Sequence, residues 1–125
     1  MASEGLHEPA EKLKPETIEI HRAIVSLKEE LEAIDWYRQR VDASGDPELS
    51  AVLEHNMNEE IEHASMVLEW IRRKVPKFNE TLRTYLFTTG DITKIEETVD
   101  SGAAPSLPQG DLSNKRTTIG DMKGN

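Results

Sequence analysis

Glu59-Glu60-Ile61-Glu62-His63 is the stretch on which the reading of this chain turns. Set on a helix, Glu60 and His63 stand at i, i+3 and project from one face, a turn apart. At about 100° per residue, Glu60 falls in the middle of the apolar stripe made by Leu49, Leu53, Val67 and Ile71. A carboxylate therefore occupies a position where a core leucine belongs. Burying an ionised carboxylate without a partner is expensive, so the position demands a proton, a cation or a metal. His63, about 60° round from Glu60, can be a second ligand to that metal.

The helix carrying this motif should run from about Pro47 to Lys74. Asp46-Pro47-Glu48 reads as N-cap, first helical residue and an acid in the first turn, while Arg72, Arg73 and Lys74 place cations at the negative end of the dipole. Asp42 to Asp46 reads as a turn, with Gly45 expected at positive φ. Before it, a helix is expected from Pro15 to about Val41, its main stripe being Ile20, Ala23, Ile24, Leu27, Leu31 and Ile34. So short a link makes the two an antiparallel hairpin. Glu30 lies on the edge of the first helix's stripe, which puts a second carboxylate against a core. On the opposite side Ile18, Val25, Glu29, Glu32 and Trp36 form another stripe, in which apolar residues and acids alternate. Two such faces suggest a helix that packs on its own hairpin on one side and on another subunit on the other.

Phe78, Leu82, Tyr85 and Leu86 recur at helical spacing and predict a short third helix to about Thr88. Residues 1–14 read as a polar arm with at most one helical turn. Its second Glu-x-x-His match, Glu4 to His7, is interrupted by Gly5 and followed by Pro9, and is set aside. From residue 89 to 125 the composition of Gly, Ser, Thr, Pro and Asp predicts a disordered tail.

A net charge of −9 on 125 residues argues against nucleic acid or an anionic membrane surface as partner and suits cations. The absence of cysteine excludes disulfides, thiolate metal sites and thiol catalysis. No signal-peptide pattern opens the chain and no apolar run is long enough to span a bilayer, so a soluble intracellular protein is expected. The ordered part, roughly 80 residues, is too short for the four long helices of a complete bundle. The expected fold is all-α: a two-helix hairpin with a short third helix, half of a four-helix bundle that dimerisation would complete.

Glu30, Glu60 and His63 could form a polar layer that fixes register by pairing with one another or with arginine. A sharper reading comes from the carboxylate-bridged di-iron centre, which takes one Glu from each of two helices and Glu-x-x-His from each of two others. This chain supplies one of each, half a site, and a two-fold axis would complete both bundle and centre. Oxygen and imidazole ligands favour iron or manganese over structural zinc. Glu29, Glu32 and Trp36 are either a solvated acidic face or a path that draws in cations. Tyr37 is either packing or a hydrogen-bond donor supporting the ligands. His21 and His55 read as solvated.

The blocks 29–37 (EELEAIDWY), 56–63 (NMNEEIEH), 68–73 (LEWIRR) and 82–88 (LRTYLFT) resemble the encapsulated ferritins, over roughly residues 7 to 90. The resemblance implies a ferroxidase that oxidises Fe2+ to Fe3+ at a di-iron centre formed only between protomers. It also implies an annular decamer of five dimers, and delivery of iron for storage in the lumen of a cytoplasmic encapsulin shell. Carried over, Glu30, Glu60 and His63 ligate the irons and Tyr37 supports them, while Glu29, Glu32 and Trp36 form a secondary site on the metal's approach route for a divalent cation such as Ca2+. Thr117-Thr118-Ile119-Gly120-Asp121-Met122 is similar to the family's shell-docking peptide, departing from it in Thr117 for an aliphatic residue and Met122 for leucine. The rival readings are a non-enzymatic oligomerising adaptor and a rubrerythrin-like peroxidase, the second disfavoured because its electron-donating module needs cysteines.

Overall fold

The computed structural model describes residues 5–100 and Gly102. Among them every regular element is helical: a 3-10 turn at Ala10–Lys12, then α1 (Pro15–Ala43), α2 (Pro47–Lys74), α3 (Pro76–Tyr85) and α4 (Ile92–Asp100). The chain divides near Phe78 into two compact units. The first is the hairpin of α1 and α2.

Both long helices begin on a proline at the first helical position, where its missing N–H is no loss. Asp46 caps α2, its Oδ1 accepting from the N–H groups of Glu48 at 2.9 Å and Leu49 at 3.3 Å. Arg72, Arg73 and Lys74 close α2 against its own dipole. Within that last turn Glu69 accepts from Arg72 and Arg73, and these hydrogen bonds lower its pKa to about 2. The link is tied across its mouth by Ser50, whose hydroxyl donates to the Val41 carbonyl at 3.1 Å.

Gly45 is not left-handed, contrary to expectation; among the described residues the positive-φ glycines are Gly90 and Gly102. The reason lies in its neighbours. Ser44 leaves α1 in an extended conformation and Asp46 enters α2 in another, so the reversal is made without a left-handed residue. The Ser44 hydroxyl accepts the Asp46 N–H at 3.2 Å and holds this shape.

The hairpin covers little of its own apolar surface. On α2, Ala64 and Ile71 are buried, and α1 has no fully buried residue. Of the predicted α1 stripe, Ile20, Ala23, Leu27 and Ile34 are half-buried, while Ile24 and Leu31 are exposed, Leu31 at 53%. Leu49, Val52, Ile61 and Met66 on α2 are likewise open to solvent. Two helices can bury only one stripe of each against the other, and these carry more apolar surface than that.

In the second unit α3 stops at Tyr85, short of Thr88, where Phe87 takes φ 64° and breaks the helical run. The expected disorder from residue 89 is corrected for its first part by α4. Asp91 caps it, accepting from the Thr93 N–H at 3.2 Å and the Thr93 hydroxyl at 3.0 Å, and Ile92, Ile95 and Val99 share one face with Ile95 buried. The proposed docking peptide at 117–122 lies outside the described residues, as does Glu4.

The geometry of the link sets up a paired test by urea unfolding. A Cβ on Gly45 meets nothing within 4 Å and its φ is not left-handed, so Gly45→Ala should stabilise by about 0.4–1 kcal/mol. Asp46→Ala should instead cost about 1 kcal/mol through loss of the cap. A destabilising Gly45→Ala would show that the link is not extended.

Candidate metal centre

Glu30 projects from α1 and meets Glu60 and His63 from α2, about four turns in from the link. His63 Nδ1 lies 3.2 Å from Glu60 Oε1 and 3.9 Å from Glu30 Oε1. One donor atom from each residue can be chosen so that all three fall within 4.8 Å of one another, a spacing that could hold a metal ion. Two distinct features of the sequence produce this. The i, i+3 step on α2 brings Glu60 and His63 together locally, and the three-residue link fixes the antiparallel register that sets Glu30 opposite them.

The three side chains are neither buried nor free, with 26% of Glu30, 25% of Glu60 and 45% of His63 exposed. Their titration is governed by crowding. The hydrogen bond to Glu60 raises the Glu30 carboxyl above its ordinary range, helped by partial desolvation and by the Glu60 charge. Glu60 is lowered because it accepts from Glu30 and from His63. His63 is raised by its hydrogen bond to Glu60, against a smaller opposing effect of desolvation. The groups acting on the trio's titration are its own members with Glu29 and Glu59, and no arginine is among them. Two carboxylates and an imidazole, converging with open positions around them, fit a divalent transition metal of oxygen and nitrogen preference.

Tyr37 is half-buried on α1, two turns from Glu30; its ring meets the Arg40 guanidinium, 5.6 Å from the centroid, and its hydroxyl is not hydrogen-bonded to the trio. The sequence reading missed Arg40, although its i, i+3 spacing from Tyr37 was there to be noticed. Glu29 and Glu32 are exposed and Trp36 is 49% exposed. They form a separate outer face of α1 and do not join the trio. His55 is exposed and His21 half-buried, both apart from the trio.

Comparison with known proteins places this geometry in context. The EncFtn-like family model matches residues 5–89, which takes in the whole hairpin and α3. The encapsulated ferritin-like protein of Rhodospirillum rubrum is 57% identical over 120 residues, covering 96% of this chain and 84% of the relative. A ferritin-like protein of Thermotoga maritima is 50% identical over 78% of this chain and 85% of its own length. The encapsulin nanocompartment cargo protein EncC of Myxococcus xanthus is 36% identical over 84% of this chain and 85% of its own. Among solved structures, protein ne0167 from Nitrosomonas europaea superposes with a TM-score of 0.68 at 57% identity, covering 70% of this chain and 97% of that one. A hairpin that leaves its apolar stripes half covered, with Glu30 set against Glu60 and His63, thus falls within matched residues from end to end, and the chain belongs to the EncFtn-like family.

Proposed function

We propose that this protein is a ferroxidase, oxidising Fe2+ to Fe3+ at a di-iron site completed when two copies pair. The observation that carries the reading is the convergence of Glu30, Glu60 and His63 on a half-open face. Three donors cannot fill the coordination of two irons, whereas the same three from a second copy, across a two-fold axis, supply one Glu and one Glu-x-x-His more. The apolar residues left open on α1 and α2 support the same pairing, since they need a partner surface.

Fe2+ is the substrate, and bound as a pair it supplies two electrons to dioxygen or peroxide. The chain's part is to hold and balance charge. Glu30 and Glu60 are the carboxylates whose charge offsets the added charge of the ferric product, and both can move between terminal and bridging positions. His63 fixes one side of the site through its nitrogen. Tyr37, steadied by Arg40, would close the site wall, and the exposed Glu29, Glu32 and Trp36 would gather cations from solvent. Two relatives' names, encapsulated ferritin-like protein and encapsulin nanocompartment cargo protein, support a place inside an encapsulin shell. In this reading the shell is cytoplasmic, the peptide at 117–122 is the docking segment, the shell lumen is the store and a decamer is the assembled form.

Iron oxidation followed by absorbance tests the catalytic part. Glu30→Ala and His63→Ala should each lower the rate by about tenfold or more, since even groups that merely orient ligands typically cost that much. Undiminished rates in both variants would leave the adaptor reading standing.

Assembly and protonation give a second test. Native mass spectrometry without oxygen should show the smaller species giving way to larger ones as Fe2+ or Co2+ is added, because the acidic faces repel until a cation bridges them. Metal must also displace protons. His63 holds its proton to higher pH than an ordinary histidine, and Glu30 to higher pH than an ordinary glutamate. Affinity for Co2+ should therefore weaken as pH falls through the raised His63 value, by about tenfold per pH unit for one displaced proton, and level off above it. A Co2+ affinity independent of pH across that range would remove His63 from the ligand set.

A further inference from the structure

The helix that carries Glu60 and His63 extends the same three-residue step in both directions: Met57, Glu60, His63 and Met66. Each step brings neighbouring Cβ atoms to about 5–6 Å and turns about 60° round the helix, so Met57 flanks Glu60 on one side and Met66 flanks His63 on the other. The chain has 4 methionines; the two that lie within the described helices both border this motif, while Met1 and Met122 stand near the ends of the sequence. Met57 is half-buried beside Glu60, and Met66, one turn past His63, is 57% exposed. Leucine would fill Met57's place equally well, and nothing in the packing asks for sulfur at the open Met66 position. What sulfur adds is chemistry and reach: three rotatable bonds and a nucleophilic lone pair that needs no deprotonation.

We infer that Met57 and Met66 are a sacrificial modification site, taking up hydrogen peroxide released at the Glu30, Glu60 and His63 site before it attacks the ligands. The inference rests on the ferroxidase reading. Two Fe2+ give one electron each to dioxygen, which with two protons becomes hydrogen peroxide. The thioether sulfur then attacks one peroxide oxygen with its lone pair. The S–O bond forms, the O–O bond breaks, and the other oxygen leaves as water after taking the proton of the transferred one. Sulfur is oxidised by two electrons to the sulfoxide and peroxide is reduced by two. Methionine sulfoxide is reducible, so the site can be restored, whereas an oxidised histidine or tryptophan cannot.

Peptide mass spectrometry of the full chain after aerobic turnover with Fe2+, with catalase in solution to destroy free peroxide, reads the result residue by residue. Met57 and Met66 should each gain one oxygen about fivefold faster than Met1 and Met122. Peroxide added to metal-free protein, without catalase, should abolish or reverse that preference, since the oxidant then arrives from solvent. Equal oxidation of all four methionines during turnover, or the same preference without iron, overturns the inference. Iron oxidation is monitored in the same sample. Oxidised iron with unmodified Met57 and Met66 defeats this proposal alone, and iron that stays ferrous defeats the ferroxidase reading beneath it.

Discussion

Glu30 and Glu60 stand so close that a negative charge on both is disfavoured unless something positive lies between them. In the isolated hairpin their contact raises the Glu30 carboxyl and lowers that of Glu60, and the hydrogen bond to Glu60 raises His63. The rest of the architecture is arranged around keeping these groups together. Two helices of nearly equal length, 29 and 28 residues, run past one another so that the acids meet side by side. A hairpin built only for stability would put leucine at both positions and lose nothing.

That cost explains the thinness of the core. The stripe that would ordinarily seal the hairpin is interrupted by the trio on its inner side, and the remaining aliphatics are left half covered. Closing them within one chain would need two more long helices, for which residues 75–100 have no length. The apolar surface and the polar site are thus deficient in the same direction, and a single partner of matching shape would remedy both.

Much of this could be read from residue order alone. Asp46-Pro47 fixed the start of α2, since both the cap and the proline act through their immediate neighbours. The Glu-x-x-His pair was legible because helical spacing guarantees that its members meet. Glu30 was legible from its place on the edge of the α1 apolar stripe. What escaped was conformation without a residue preference strong enough to force it. Gly45 permits a left-handed turn but does not require one, and the Ser44 hydroxyl decided otherwise. Phe87, a residue that ordinarily avoids positive φ, holds it, and no composition rule would have chosen it. The helix at 92–100 was hidden by the low complexity of residues 101–125, although Asp91 and the spacing of Ile92, Ile95 and Val99 were in plain sight.

The position of the link has a mechanical meaning. Joined at one end by three residues and pinned there by Ser50 on Val41, the long helices behave as tweezers whose tips are the start of α1 and the end of α2. Glu30 and the Glu60–His63 pair sit between pivot and tips, where a small splay widens the gap by less than it does at the ends. An ion held there would act with leverage: sub-ångström changes in its bonding would be magnified toward the far ends of both arms.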